Sequence, residues 1–251
     1  MNPSPGFVAL AGVVTGLLFG VTGAGGSVLT LPALVFLLGL GPHEAVAGSL
    51  LSVGLTAIAG AVSHARRGHV RLSAAAVFTA SGGLAALIGG HFGRLVPDRL
   101  LMIAFGLLML FVAWLALRGR PTAPRSTVSP TPVLAAWGAG VGLLSGFLGI
   151  GGGFLVVPAL AGPGGFPARD AIGTALAVIA INAAAGLAGS LARLGSLPWA
   201  TLMPFVAGSL AGGYAGGRIA SHWPERRLRL AFGGLVGLVG LAMLVRWLPV
   251  R

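Results

Sequence analysis

The sequence predicts an all-α, multi-pass membrane protein built from two tandem homologous halves. Hydrophobic residues make up 56% of its 251 residues, whereas charged residues make up only 8%. A soluble domain carries about 25% charged residues because its surface must face water. Apolar runs of about 20 residues, the length that spans a bilayer, recur between the charged clusters. We therefore expect lipid to surround most of the chain.

The distribution of charge favours a membrane surface over nucleic acid as the partner of the basic residues. The formal net charge is +12, and all 16 basic residues are Arg. They cluster at the ends of apolar segments, which is typical of topology signals and of anchoring to anionic lipid. A protein that binds nucleic acid would carry a basic stripe along one face instead.

The absence of Cys and Lys excludes several kinds of chemical site. The chain contains no Cys, so disulfides, thiolate metal sites and cysteine nucleophiles cannot form. It contains no Lys, and therefore no ATP-binding P-loop. No metal or other cofactor is expected, because no His pairs with a second ligand inside an apolar segment. The histidines fall near segment ends and are interpreted as interfacial anchors: His43, His64, His69, His91 and His222.

Breaks between the apolar runs predict five segments in each half. The N-terminal run lacks a preceding basic region, so we interpret it as a retained membrane segment. The stretch 118–132, with four Pro and three Arg, separates the halves. We divide the chain into a first repeat over 1–120, a linker over 121–132 and a second repeat over 133–251. The predicted segments are 6–22, 27–40, 43–64, 70–93 and 98–117, then 133–148, 153–162, 169–192, 197–217 and 227–246.

The two halves align at an offset of 126 residues through the first three segments and of 127 thereafter. Glu44 falls on Asp170, and Pro97-Asp-Arg falls on Pro224-Glu-Arg. Matches between residue types this rare in the chain indicate an internal duplication. Four Gly pairs, at 82–83, 89–90, 212–213 and 216–217, are interpreted as faces where helices pack closely.

The number of crossings, eight to ten, depends on the short second segment of each half. If 27–40 and 153–162 both cross, the halves are inverted, and 11 Arg lie on one side against 5 on the other. If both are re-entrant, the halves run parallel, and 9 Arg lie on one side of the membrane against 7 on the other. The larger bias favours an inverted repeat with both termini outside. The short segments still read as partial helices, since ten to fourteen residues cover only about 15–21 Å.

A Gly-rich stretch precedes each short segment. The backbone is expected to open there inside the membrane, where only protein or a water-filled cavity can satisfy its polar groups. The helix that follows would present free N–H groups and the positive end of its dipole to an anion. Paired interruptions in two halves are typical of a transporter's central site, although a close helix crossing is the structural alternative. The predicted anion site comprises Gly23, Gly25, Gly26, Ser27, Gly149, Gly151, Gly152 and Gly153.

The two Gly-rich turns, each followed by a short segment with Pro32 or Pro158, resemble those of the TauE/SafE sulfite-exporter family. The resemblance covers nearly the whole chain and both halves. It implies a permease for sulfite, sulfonates or other small organic anions, without identifying the substrate. It includes the openings of the third segments, which read Glu44-Ala-Val-Ala-Gly-Ser49 and Asp170-Ala-Ile-Gly-Thr174.

Small polar residues of the third segments are further candidates for anion contact. Ser49, Ser52 and Thr56 share one helical face at spacings of three and four. Thr174 and Asn182, eight residues apart, also share a face, and Asn182 is the only amide in an apolar segment. An interhelical hydrogen bond is an equal alternative for Asn182. The halves differ at Ser27 opposite Gly153 and at Gly48 opposite Thr174, so they are expected to contribute unequally.

The two acids that open the third segments, Glu44 and Asp170, have two interpretations. Acids in the first turn of a helix complement its dipole, which is the favoured interpretation. Proton coupling is the alternative.

A secondary transporter is the favoured function: it would move a small anion, a sulfur oxyanion or organosulfonate, across the bacterial inner membrane by alternating access. An enzyme is not expected, because no His, Lys or Asp lies near the centre of a span, where it could activate Ser145. A membrane assembly factor or a cation permease is the alternative, although a cation site would normally show intramembrane carboxylates. The expected partners are the anion and the bilayer, and a homodimer is compatible with the sequence.

Overall fold

Every regular secondary-structure element in the described residues is a helix, which confirms the all-α prediction. The computed structural model describes residues 4–22, 27–118, 130–148, 153–161, 163–188, 195, 197–219 and 225–247, and these contain ten helices and no strand. The first half contains α1 (Pro5–Thr22), α2 (Ser27–Leu37), α3 (Pro42–Ala65), α4 (Leu72–Leu95) and α5 (Asp98–Arg118). The second contains α6 (Thr131–Leu148), α7 (Gly153–Ala161), α8 (Ala168–Ala188), α9 (Trp199–Ile219) and α10 (Glu225–Trp247).

Six helices are long and apolar enough to cross a membrane, which fits the predicted multi-pass arrangement. Of the other described helices, α9 has 21 residues and α10 has 23, or about 31 and 34 Å at 1.5 Å per residue. With 11 and 9 residues, α2 and α7 reach only about 17 and 14 Å, as predicted for partial helices. The six spans are Pro5–Thr22, Glu44–Ala65, Leu72–Gly93, Asp98–Leu115, Thr131–Leu148 and Arg169–Ala188.

The helix α2 ends before the predicted boundary at residue 40. Gly39 has φ +67°, a left-handed conformation that glycine adopts without steric cost and that commonly ends a helix. The Leu40 N–H then donates to the Leu34 carbonyl at 3.2 Å, which closes the turn. The next helix, α3, begins at Pro42, because proline suits the first helical position, where its missing N–H is not needed.

The short helices lie at the centre of the molecule although they do not span it. Leu31 and Leu34 of α2 and Val156 and Leu160 of α7 are each fully buried. The segments that lead into these two helices are 23–26 and 149–152, the Gly-rich turns. Each predicted turn therefore precedes, in the sequence, a short helix with fully buried side chains.

The helices pair across the two halves in a reciprocal pattern. The first helix of each half packs against the fourth of the other, so that α1 contacts α9 and α6 contacts α4. The third helices, α3 and α8, pack together, as do the fifth helices, α5 and α10. The four pairs have the most extensive contacts between described helices. Such reciprocity is what a duplicated chain produces when its halves interlock.

The exchanged pairs run in the same direction. Gly12 and Gly16 of α1 lie against the backbones of Phe205 and Ser209 of α9, with residue numbers rising together. In the pair of α4 and α6, Gly142 lies against Gly82, and Gly146 against Ala86. The missing side chains allow the backbones to approach.

The like-with-like pairs run in opposite directions. Gly54 of α3 faces Ala183 of α8, whereas Gly60, further along α3, faces Leu176, nearer the start of α8. In the fifth helices, Gly106 faces Leu244 and Gly237 faces Ala113. Both like-with-like pairs are therefore antiparallel.

The interpretation of the Gly pairs as packing faces holds for most positions, but a Cβ on Gly83 or on Gly217 would meet nothing within 4 Å. Gly82, Gly89, Gly212 and Gly216 each lie against the backbone of a neighbouring helix. Gly83 faces open space, because the contact face of α4 passes through its neighbour Gly82.

Candidate functional site

The predicted anion cradle lies mostly outside the described residues. This applies to 23–26 and 149–152, which contain Gly23, Gly25, Gly26, Gly149, Gly151 and Gly152. Ser27 and Gly153 begin α2 and α7, as the sequence analysis predicted for the helices that follow the turns. The role of the cradle stays a prediction.

A cavity of about 700 Å³ opens between helices of both halves. It lies among the last turn of α1, the second half of α3, the start of α8 and the end of α9. Its polar and aromatic lining residues are Phe19, Thr56, Ser63, His64, Arg66, Arg67, Tyr214 and Arg218. Its other lining residues are Gly20, Ala59, Gly60, Val62, Ile172, Leu176, Gly213 and Gly217.

The wall of this cavity is basic. It carries three Arg side chains, and none of the described residues that line it is acidic. Arg218 lies over the ring of Tyr214, with 4.8 Å between its guanidinium carbon and the ring centroid. Because low-dielectric walls of one sign concentrate the opposite ion, the cavity would attract anions. Phe19 and Gly20, in the last turn of α1, also line it.

Thr56 is the one predicted polar residue that lines the cavity. Its hydroxyl donates to the Ser52 carbonyl at 2.8 Å, and its methyl group packs against Gly213 of α9. Ser49 and Ser52 are buried elsewhere in the helix bundle, and the Ser49 hydroxyl donates to the Val46 carbonyl at 2.9 Å. Neither Ser49 nor Ser52 lines this cavity, and their predicted contact with the anion stays a prediction.

The predicted residues of α8, Thr174 and Asn182, do not line the cavity. Thr174 is fully buried and accepts a hydrogen bond from the Arg71 N–H at 3.0 Å. Asn182, which aligns with Thr56, has a buried Oδ1 with no partner among the described residues. A buried amide oxygen without a partner is costly, so this atom stands out as a candidate for contact in another state of the protein.

Asp170 forms an ion pair between the halves that the sequence analysis did not anticipate. Its Oδ2 lies 2.7 Å from Nη2 of Arg71 and accepts from the Arg71 Nε at 2.8 Å. Its Oδ1 lies 3.0 Å from the His69 Nδ1. Both partners belong to the segment between α3 and α4. Asp170 also lies in the first turn of α8, as the dipole interpretation requires.

Glu44 behaves differently from Asp170. Its Oε2 accepts a hydrogen bond from the Gly41 N–H at 3.4 Å, immediately before α3. This local contact caps the helix and fits the dipole interpretation of Glu44.

Two of the residues that the sequence analysis missed share a helical face with Thr56. Ser63 and His64 lie seven and eight residues beyond Thr56, spacings that return to one face of α3, and Arg67 follows in the turn after that helix. That periodicity could have linked the Arg cluster to the polar face, but the Arg residues were used only as topology signals.

The chain has recognisable relatives along almost its entire length. A "Probable membrane transporter protein" from Xylella fastidiosa strain Temecula1 is 36% identical over 247 residues, covering 94% of this chain and 93% of the relative. The "Probable membrane transporter protein YdhB" of Bacillus subtilis is 24% identical, covering 94% and 99% of the two chains. No solved structure gives a significant match.

The helical fold and these relatives define a multi-pass membrane protein of a transporter class. The model of the sulfite exporter TauE/SafE family matches residues 8–243. The chain therefore belongs to the TauE/SafE family, which confirms the resemblance found in the sequence.

Proposed function

We propose that this chain is a secondary transporter that moves a small anion, a sulfur oxyanion or an organosulfonate, across the bacterial inner membrane by alternating access. The observation that carries the proposal is the Arg-lined cavity between helices of both halves. Phe19 and Gly20, which line it, precede the first Gly-rich turn by a few residues in the sequence.

The cavity and the Gly-rich turns would act in sequence on the anion. Arg66, Arg67 and Arg218 would attract it from solution, and the hydroxyl of Thr56 marks the deeper, less charged part of the wall. The backbone N–H groups of Gly25 and Gly151 would then hold it near the centre. Because neutral donors bind an oxyanion less tightly than a buried Arg would, the anion can leave again.

An inverted arrangement of the halves is part of the proposal. If every segment crosses the membrane, successive helices alternate in direction. In that case α3 runs antiparallel to α8, and α5 runs antiparallel to α10. If α2 and α7 are re-entrant, both pairs would run parallel. The observed antiparallel contacts, such as Gly60 with Leu176 and Gly106 with Leu244, support the inverted arrangement. In that arrangement both termini are outside and the Arg-lined cavity opens to the cytoplasm.

Alternating access would exchange the environments of Thr56 and Asn182. These aligned residues lie near the point where α3 and α8 cross, beside the contact of Gly54 with Ala183. Thr56 lines the open cavity, whereas the Oδ1 of Asn182 is buried. When the opposite side opens, we expect Asn182 to line the cavity there.

The alternatives fit the lining residues less well. A cation permease would be expected to place carboxylates in its path, but the described lining residues include three Arg and no acid. For a hydrolase, Ser145 would need an activating base, but its hydroxyl donates to the Gly142 carbonyl of its own helix at 3.0 Å. We expect no enzymatic activity from this residue.

Anion flux into proteoliposomes tests the proposed function. We expect flux of sulfite, sulfoacetate or methanesulfonate, and Arg67→Gln should raise KM about tenfold because one charged contact is lost. Arg118→Gln is the matched control, since Arg118 stacks on Trp114 at 4.0 Å outside the cavity lining. Absence of flux for all three anions, together with flux of a cation, would reject the proposal.

Site-directed labelling tests the proposed topology without background, because the chain has no Cys. A membrane-impermeant thiol reagent should reach Thr127→Cys only from the cytoplasm. Labelling of this residue in intact cells from outside would contradict the inverted arrangement.

A further inference from the structure

His64 lies on the wall of the basic cavity, where the proposed transport mechanism assigns it no role. It belongs to the last turn of α3, between Thr56 and the Arg pair at 66–67. Its Nδ1 is buried and has no hydrogen-bond partner among the described residues. Because histidine changes charge near neutral pH, a lone imidazole beside an anion path can bind a proton together with the anion.

The groups around His64 are nearly all cationic or already paired. Its ring meets the His69 ring edge-on, with 6.3 Å between centroids. Among the described contacts, Asp170 is the acid that reaches this pair, and both of its oxygens are occupied by His69 and Arg71. From α1 only Phe19 and Gly20 face the cavity, and from the other helices its charged lining residues are Arg66, Arg67 and Arg218.

We infer that His64 takes up a proton when an anion enters the cavity, so that anion and proton bind cooperatively. A proton on His64 alone would add a positive charge to a wall that already carries three Arg. An anion within about 4–6 Å would stabilise that added charge. By linkage, the proton raises the affinity for the anion by the same factor. The proton comes from the solution that fills the cavity and returns to solution when the anion leaves.

This inference rests on the proposed anion transport. It assigns proton coupling to His64 rather than to Glu44 or Asp170. Asp170 carries its charge in a fixed ion pair with Arg71, and Glu44 caps α3. Neither contact involves the cavity. His64 is the titratable group that both lines the cavity and lacks a partner at one ring nitrogen.

Calorimetric binding to the purified full-length protein tests the inference between about pH 5 and pH 8. The probes are methanesulfonate, whose charge is constant over this range, and sulfite. Affinity for methanesulfonate should rise by up to about tenfold for each unit that the pH falls, as uptake of one proton requires. His64→Gln should flatten this dependence. Sulfite itself changes its ionisation in this range. The pH dependence of sulfite affinity is therefore compared between wild type and His64→Gln, so that the contribution of the anion's own ionisation cancels.

His91→Gln is the matched control, because His91 is exposed on α4 and contacts Phe92 rather than the cavity. It should keep the wild-type pH dependence. Calorimetry of wild type in buffers of different ionisation enthalpy adds a readout that needs no variant, and we expect uptake of close to one proton for each methanesulfonate bound.

An unchanged pH dependence in His64→Gln, or binding of methanesulfonate without proton uptake, would overturn the role of His64 and leave anion transport intact. Failure of both probes to bind or to be transported by wild type would instead reject the proposed function, and the His64 inference with it. If only sulfite binds, the role of His64 is decided by comparing the pH dependence of sulfite affinity in wild type with that in His64→Gln. Equal dependences would overturn the role.

Discussion

The first turns of α3 and α8 occupy equivalent positions in the two halves, but their surroundings differ in charge. At α8, Asp170 holds Arg71 and His69 of the neighbouring loop. At α3, the loop before α9 has Gly195 and Leu197 at the positions aligned with His69 and Arg71, and neither residue is charged. Leu197 from that loop is buried in the same apolar cluster as Ala45 and Ala47. One end of the molecule is therefore joined by ions and the other by apolar packing.

The difference shows how a duplicated fold acquires two unlike ends. The helices and their reciprocal pairing are common to both halves, because the apolar pattern and the Gly positions are common. The loops that cap the third helices diverged, and with them the bonds between the halves. Under the proposed alternating access the two ends would open separately, so bonds of different kinds at the two ends would let each respond to different conditions.

The largest expected effect comes from adding a methyl group beside the ionic end. A Cβ on Gly173 would collide with the backbone carbonyl of His69, which cannot move without carrying Arg71 away from Asp170. Gly173→Ala should therefore lower the free energy of unfolding by about 3 kcal/mol, at the upper end for overpacking. Thermal unfolding of the detergent-purified protein measures the effect.

Gly48→Ala at the apolar end is the matched control for Gly173→Ala. Its Cβ would meet only the side-chain ends of Leu202 and Leu34, both at 3.2 Å, and these can shift by a few tenths of an ångström. We expect a cost below about 1 kcal/mol. Equal losses in the two variants would show that the ends are not different in kind.

The second effect comes from removing the charge at each end. Asp170→Asn should cost about 2 kcal/mol, because Arg71 and His69 lose a charged acceptor while Arg71, whose side chain is 58% exposed, recovers part of the loss from water. Glu44→Gln should cost only about 0.3–1 kcal/mol, since it weakens a helix cap. The thermal shift of the first variant should shrink in high salt, which screens the exposed part of the pair. Indistinguishable shifts would contradict the proposed asymmetry.

The smallest expected effect concerns the hydroxyl that fixes the loop at the ionic end. Thr174→Val keeps the side-chain shape but removes the acceptor for the Arg71 N–H, bonded at 3.0 Å. We expect a loss of about 1 kcal/mol. Hydrogen exchange at the Arg71 amide should accelerate in this variant, whereas Ser49→Ala, which removes only a bond within α3, should leave it unchanged.

The site was predictable where it depends on local sequence and not where it depends on contact between distant segments. Thr56 emerged from a polar face on one helix, and the partial length of α2 and α7 followed from their Gly and Pro residues. The partners of Asp170 lie about a hundred residues away, at His69 and Arg71, in a loop whose charges served equally well as topology signals. Short-range patterns contain no information about which loop meets which helix.

The sequence by itself determined the class of protein and the family, and it predicted ten helical segments and an internal duplication. These follow from hydrophobic length, which the bilayer thickness sets, and from rare residue types repeated at a constant offset. Only the tertiary structure decided that the halves interlock reciprocally, that Arg66, Arg67 and Arg218 surround one cavity with His64, and that Asp170 binds across the halves. The physical reason is that glycine contacts allow many helix pairings, and the pairing chosen by the whole chain decides which polar groups meet.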